Sequence, residues 1–586
     1  MPPYSALARD SGRRQNFIPM KTTLIIAWFL LALIPVQSAV PVAVTPVRGR
    51  DGMVVAGNPE AAALGLAVLR AGGNAVDAAV ATSLALGVAE PYGSGLGGKL
   101  MLLHFEAKTG RVTAIDAMDA AGSVDVTRWI AMPAEERATG YPSVCVPGLA
   151  AGLWTAHRRW GVKPWAEVVR PAIDLARGGF EILPKSREQF AEQEKKLRKG
   201  DAEIAGLYLP GGRLPEVGSR LPNEDLARTM ESLAREGRDG FYKGAVARAI
   251  VRAARDAGGW ITSADLENYE ARETSAVAAD FKGYTLFSGP PPTSGSALFL
   301  PILKALEDDA EPMAPLRTAT HLDRLGRIWR AAQPAISRTV GDVPESRFLV
   351  EKLLAPDAIR ELRDKAPGPA GARRKVAGWE PPGETSLFHE SAMAATTHFA
   401  VADRHGNIVC ATQSQSLHFG AGVVPPGTGV VMNNSMMNFS TTNARSPNYV
   451  AAGKRPTSTI GPTIVIRDGR PVLAVGVPGS SRIPTALLQV LYERLALGRP
   501  LAEAIGDTRV HFQAALRSNE QESLEAEQSL PAAVATALKD LGWNVVLREP
   551  AGTGKHFGGV NAIEFHADGS MTGYADPRRT NVAAGF

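Results

Sequence analysis

The stretch TTHFAVADRHGNIVCATQSQS, residues 396–416, decides how the rest of the chain is read. HFAVAD alternates like a half-buried strand, RHG is a turn with glycine last, and IVCATQSQS alternates again. Ile408, Cys410, Thr412, Ser414 and Ser416 share one face of that second run. A three-residue loop bracketed by Asp403 and Asn407, with Gly406 left-handed, sets Thr396 opposite Ser414. A two-residue loop sets Thr397 there instead. In either register a hydroxyl-rich strand start faces a hydroxyl-rich strand end, away from any flanking His or Asp pair. That suits a threonine nucleophile whose base is its own freed α-amino group. Taken alone, the same residues also describe an ordinary Thr/Ser-rich edge hairpin.

The remaining chain decides between these readings. In order it carries GMVVAGNPEAAALGLAVLRAGGNAVDAAVATSLALGVAEPYGSGLGG, FYKGAVARAIVRAARDAGGWITSADLENYEA, GPPPTSGSA, KRPTSTIGPTIV and GVPGSSRI. With the Thr-Thr-His at 396–398, these blocks resemble the γ-glutamyltransferase family of N-terminal-nucleophile hydrolases, from about Gly52 to Phe586. The resemblance implies an α/β fold, the four-layer αββα sandwich, with a mainly helical large-subunit portion. It also implies cleavage of the Ala395–Thr396 bond, giving a large subunit at 40–395 and a small subunit at 396–586. The two chains of one precursor would form a heterodimer acting on a small-molecule amide.

Residues 1–39 read as a leader. Met20-Lys21 opens a basic region, an apolar run covers 24–36, and Val-Gln-Ser-Ala ends at Ala39, the order of a secretory signal. The apolar run is short for a membrane span. Export is expected, to the periplasm in a Gram-negative cell. The formal charge is +5, and the leader holds four basic residues and one acidic one, so the remainder carries +2. That weak balance gives no reason to expect a nucleic-acid partner. With 45% hydrophobic and 21% charged residues the composition is that of a soluble globular protein. The two cysteines, Cys145 and Cys410, have no metal or redox spacing, and Cys410 reads as a buried small hydrophobe. The ten histidines show no ligand spacing, so neither metal nor cofactor is expected.

Along the chain, Asn58-Pro59 and Asn74 read as caps of two Ala-rich helices buried on most faces. GSGLGG at 93–98 formally fits the dinucleotide pattern, but a helix precedes it and the strand-like LMLLHFEA follows. It reads as a turn that lets two backbones approach closely. Residues 150–280 read as mainly helical, with Ser263 as a cap, and GPPPTSGSA at 289–297 as an ordered loop. A helical region to about Asp364 precedes an exposed, mobile connector at 365–383. Residues 429–434 read as a strand. A hairpin is expected across Asp468-Gly469, an amphipathic helix at 483–497, another helix at 530–541, and a last hairpin at 560–574. There is no G-x-S-x-G elbow and no complete P-loop.

Within the resemblance, Thr396 is the nucleophile and Ser414 stands for a threonine whose hydroxyl supports it. Thr412 is retained. Gly479-Ser480 matches a Gly-Gly oxyanion hole, where backbone N–H groups meet the developing charge. Elsewhere the match fails. Met118 holds the place of an arginine for the substrate α-carboxylate. Ser416, Ser435 and Asn438 stand where Asn, Gln and Asp receive the α-ammonium. Ser458 and Thr459 survive as carboxylate donors. Truncating one partner of a buried charge pair costs about 2–5 kcal/mol, so this pocket is expected to hold a zwitterionic glutamyl head poorly. A shortened segment at 439–454 suggests an open site.

The expected function is an autoprocessed amidohydrolase acting on γ-glutamyl-like or glutaryl-like amides through acyl-Thr396, hydrolysing rather than transferring. The alternatives are an orthodox glutathione hydrolase and γ-glutamyl transpeptidase, and an inactive periplasmic binding protein of the family.

Overall fold

The structure, a computed structural model, describes residues 42–307, 318–366, 394–513, 523–548 and 556–586. The leader and most of the connector expected at 365–383 lie outside these residues.

Two seven-stranded sheets form the centre. The first runs, edge to edge, through Val582–Gly585, Gly52–Ala56, Ala394–Asp403, Ile408–Leu417, Lys99–Glu106, Arg111–Ala117 and Arg272–Ser275. The second runs through Val47–Gly49, Met571–Ala575, Asn561–Phe565, Arg470–Gly476, Thr463–Arg467, Tyr284–Ser288 and Val277–Phe281. The pairings within both are antiparallel. Helices cover the outer faces, which makes the expected αββα sandwich.

Alternation along the central strands explains the layering. Phe399, Val401, Val409, Ala411, Leu100 and Leu102 share an apolar cluster with the helices Pro59–Arg70, Ala75–Ala89 and Leu149–Trp160. Ala400, Ala402, Ile408, Cys410, Met101 and Leu103 point the other way and meet Val465, Leu473 and Val475 of the second sheet. Fully burying a Val or Leu side chain is worth about 1.5–3 kcal/mol, so a one-residue slip in this sheet would be prohibitive. Thr396, Thr412 and Ser414 take the parity of the inter-sheet face.

Both asparagine caps form: the Asn58 side chain accepts from Glu60 N and Ala61 N, and Asn74 makes a capping box with Asp77. GSGLGG links a helix to a strand and holds backbones close together. A Cβ on Gly97 would lie 2.1 Å from Val431 O, and one on Gly98 would lie 2.4 Å from Ser414 O.

Four expectations change. Thr262, not Ser263, caps its short helix, because its hydroxyl accepts from Asp265 N while the Asp265 carboxylate takes Thr262 N. The loop at 289–297 gives way at Gly295 to the helix Gly295–Ala305. Residues 429–434 are extended without a ladder: Met432 N donates to Val423 O and Asn433 N to Gly97 O, both in loops. The helix Arg482–Leu495 is buried on almost every face rather than amphipathic, since Arg482, Gln489 and Glu493 are enclosed with its apolar residues. Cys410 is fully buried, and its thiol is pushed up to about 12 by that burial.

The hairpin loop has the three-residue form, with Asp403 N donating to Asn407 O and Gly406 at φ +81°. The buried Asp403 carboxylate accepts from His405 N, Asn407 N and Asn407 Nδ2. It also accepts from Ala75 N at 3.0 Å, tying the turn to a helix start. Charge-assisted bonds of this kind are worth roughly 1.5–3 kcal/mol each and do not add fully. Asp403→Ala should therefore destabilise the protein by about 2–4 kcal/mol, read as a lower denaturant midpoint at unchanged slope.

Candidate active site

Thr396 pairs with Ser414, and Ser414 with Lys99 on the next strand. Immediately before Thr396 the register slips, for Ala395 pairs with Ser416. Gln415 is thus the extra residue of a β-bulge placed beside the Ala395–Thr396 bond. Ser416 adopts φ +77°, a left-handed conformation that a serine takes only at a cost.

The bulge brings two hydroxyls to one carbonyl. Thr396 Oγ1 lies 2.8 Å from Ala395 O and 3.0 Å from Ser414 Oγ, and the Ser414 hydroxyl also donates to Ala395 O. Ser416 N donates to Ser414 Oγ at 3.0 Å and fixes it. Each hydroxyl has one proton to give. In the arrangement that prepares attack, Thr396 donates to Ser414 while Ser414 donates to the carbonyl oxygen. As Thr396 Oγ1 closes on the Ala395 carbonyl carbon, Ser414 can pass a proton to the developing oxyanion and take the one Thr396 loses. Thr396 is 4% exposed, so water barely competes.

His398 is not the base. Its Nδ1 is 2.8 Å from Thr412 Oγ1, and burial pushes its pKa down to about 3, which keeps the ring neutral. On the outer face of the same strand, Thr397 hydrogen-bonds Glu90, whose carboxyl is pushed up by burial. Thr580 also reaches Glu90, at 3.1 Å, and Arg579 Nη1 is 3.4 Å from Thr396 O. The C-terminal segment therefore braces the nucleophile strand.

Gly479 and Ser480 adopt positive φ, +153° and +55°, so the turn after the strand Arg470–Gly476 is sharply bent. Thr459 Oγ1 donates to Ser480 O at 2.8 Å, and Ser294 N to Ser458 O at 2.7 Å. These bonds gather the expected oxyanion pair and the expected carboxylate donors into one loop cluster. That cluster abuts the brace: a Cβ on Gly479 would lie 3.2 Å from Gly558 Cα, and one on Gly559 would lie 3.0 Å from Arg579 Cγ.

Ser416, Ser435 and Asn438 come together around a residue the sequence reading did not single out. Lys99 Nζ donates to Ser416 Oγ and Ser435 Oγ, each at 2.7 Å. It lies 3.5 Å from Asp119 Oδ2, with both side chains essentially unexposed. Asn438 Nδ2 donates to Ser416 Oγ at 3.0 Å, and Ser435 Oγ to Asp119 Oδ2 at 2.5 Å. Burial raises the Asp119 carboxyl and the Lys99 charge pulls it back. Met118 follows the Leu100–Ala117 pair and so neighbours Lys99, but its side chain is fully enclosed in the inter-sheet core. Arg455, a buried arginine whose charge also acts on Asp119, is held by Asp116 at 2.7 Å and by the carbonyls of Asp116 and Glu270.

Comparison with known proteins agrees with this geometry. The family model described as gamma-glutamyltranspeptidase matches residues 61–586. The glutathione hydrolase proenzyme of Bacillus subtilis (strain 168) is 32% identical over 557 residues, 92% of each chain. The acylase ACY 1 proenzyme of Pseudomonas sp. (strain SE83) is 34% identical over 553 residues, 90% of this chain and 92% of the relative. Among solved structures, cephalosporin acylase from Bacillus halodurans superposes with a TM-score of 0.80 at 25% identity, covering 92% of this chain and 97% of that one. With the fold, the threonine at the bulge and these matches in agreement, the chain belongs to the gamma-glutamyltranspeptidase family of N-terminal-nucleophile hydrolases.

Proposed function

We propose that this chain is an exported proenzyme that cuts itself before Thr396 and then hydrolyses amides of glutaryl-like or γ-glutamyl-like acids through an acyl ester on Thr396. The parts would be a leader at 1–39, a large subunit at 40–395 and a small subunit at 396–586, held together as a heterodimer. Among the described residues no helix is long and apolar enough to cross a membrane. The periplasmic address rests on the leader alone.

The observation that carries the reading is the contact of the Thr396 and Ser414 hydroxyls with the Ala395 carbonyl. Self-cleavage leaves Thr396 with a free α-amino group of reference pKa about 8. That amine is the base for later turnovers, so it must be neutral to act. In the mature enzyme the N–H groups of Gly479 and Ser480 would receive the oxyanion of the substrate amide. Ser458, and Thr459 once its hydroxyl turns from Ser480 O, would take a terminal carboxylate. Water, rather than a second amine, would release the acyl group.

The orthodox reading, glutathione hydrolysis with transpeptidation, is favoured by the name of the Bacillus subtilis relative. The surroundings of Ser416, Ser435 and Asn438 weigh against it, because a lysine already sits there. The Pseudomonas sp. (strain SE83) relative is named an acylase, which favours the acyl-amide reading.

Intact-mass analysis should find wild type as two chains cut before Thr396, and Thr396→Ala as one. Ser414→Ala should slow the cleavage by about 10²-fold, the usual effect of losing one oxyanion donor. Wild type that stays whole would favour an inactive binding protein. In mature enzyme incubated with an acyl anilide, mass spectrometry should find the acyl group on Thr396. Its kcat/KM should rise with pH through a pKa near ~8, as the amine loses its proton.

A further inference from the structure

We propose that Lys99 fills an ammonium-binding subsite of this pocket with the chain's own ammonium, so that the enzyme takes acyl groups without an α-amino group and excludes γ-glutamyl groups. The inference rests on the function proposed above and names the substrate class of that site.

Side-chain oxygens surround Lys99 Nζ: Ser416 Oγ and Ser435 Oγ at 2.7 Å and Asp119 Oδ2 at 3.5 Å. A carboxylate and two hydroxyls converging on one point are what an ammonium requires, since it has three N–H donors and a charge to neutralise. Two of the three Lys99 donors are taken by the serine hydroxyls, and its charge faces the Asp119 carboxylate, so Lys99 acts as a plug and not as a clamp. The cage also has capacity to spare. Asp119 Oδ1 is buried and has no hydrogen-bond partner among the described residues, although buried carboxylate oxygens are nearly always paired.

The cage lies where an acyl chain would reach. Lys99 pairs with Ser414, whose hydroxyl is 3.0 Å from the nucleophile. Strands in a sheet are about 4.8 Å apart, so the cage is one to two strand spacings from Thr396, roughly the reach of a four- or five-carbon acyl chain. Ser416 and Asn438 are its half-buried members, the side from which a ligand would approach. A glutamyl group would bring a second ammonium against the first, with Ser416 Oγ, Ser435 Oγ and Asp119 Oδ2 already engaged. A glutaryl group has only hydrogen at that carbon and meets no such conflict.

The test measures kcat/KM for glutaryl-p-nitroanilide and γ-L-glutamyl-p-nitroanilide on the processed protein. Wild type should favour the glutaryl compound at least tenfold. Lys99→Ala empties the cage but leaves Asp119 and both serines, so the γ-glutamyl-to-glutaryl ratio should rise at least tenfold, mainly through a lower γ-glutamyl KM. Removing the anion as well, in Lys99→Ala with Asp119→Ala, should abolish that gain. A wild-type preference for the γ-glutamyl compound, or an unmoved ratio in folded Lys99→Ala, would overturn the proposal.

The second measurement needs no turnover. Methylammonium or ethylammonium at millimolar concentration should raise the melting temperature of Lys99→Ala and leave that of wild type unchanged, and equal responses would overturn the cage. If neither anilide is cleaved and Thr396 carries no acyl group, the proposed function fails, while the alkylammonium response still decides the cage. If Lys99→Ala does not fold, the wild-type ratio decides alone.

Discussion

The register of one hairpin governs everything else in this molecule. Asp403 closes the three-residue turn with its own carboxylate and also holds the start of the helix Ala75–Ala89. Once that turn is fixed, each pair on the two strands follows, and the apolar residues divide between the helical side and the inter-sheet side. A slip by one position would exchange the two sets. It would also carry Thr396 away from Ser414 and toward the helices. The stability of the core and the placement of the nucleophile are thus the same constraint, imposed by burial and transmitted through the pleat. The bulge is the one local departure, and it falls beside the Ala395–Thr396 bond.

Much of this was legible because the signals are local. Turn chemistry and alternation gave the hairpin and narrowed the partner of Ser414 to Thr396 or Thr397, and the three-residue loop with the Thr396–Ser414 pair is the form that occurs. Asn58-Pro59 and Asn74 marked helix starts by side-chain geometry that needs only the next few residues. The hairpin at Asp468-Gly469 also formed, with both residues at positive φ. Residues 429–434 misled because VVMNN has the composition of a strand, yet its backbone partners are loops, which no local pattern records.

Other features were hidden because they depend on distant partners. The strand Ser523–Ala526 carries Glu525, a charge that looks exposed in one dimension. In three dimensions it meets Arg482, Arg548 and His556, and His556 with Arg482 holds it far below the usual carboxylate range. Lys99 was missed for the same reason. It follows two glycines and opens the apolar run LMLLHF, where it reads as polar punctuation. Only folding sets it beside Asp119, Ser416 and Ser435. The available signal was parity: Lys99 shares the inward phase of Met101 and Leu103, and a buried lysine requires an anion.

The pairing of Ala394 with Leu417 and of Ala395 with Ser416 has one more consequence. The residues ahead of the scissile bond are not a passive tether, because they hold the rungs of the sheet next to the nucleophile. In the precursor the enzyme is saturated by a stretch of itself. Cleavage before Thr396 would then be its first turnover, with the departing strand end as the first acyl group, held as an ester on Thr396 and released by water, and its exit would leave backbone edges unpaired for whatever amide comes next.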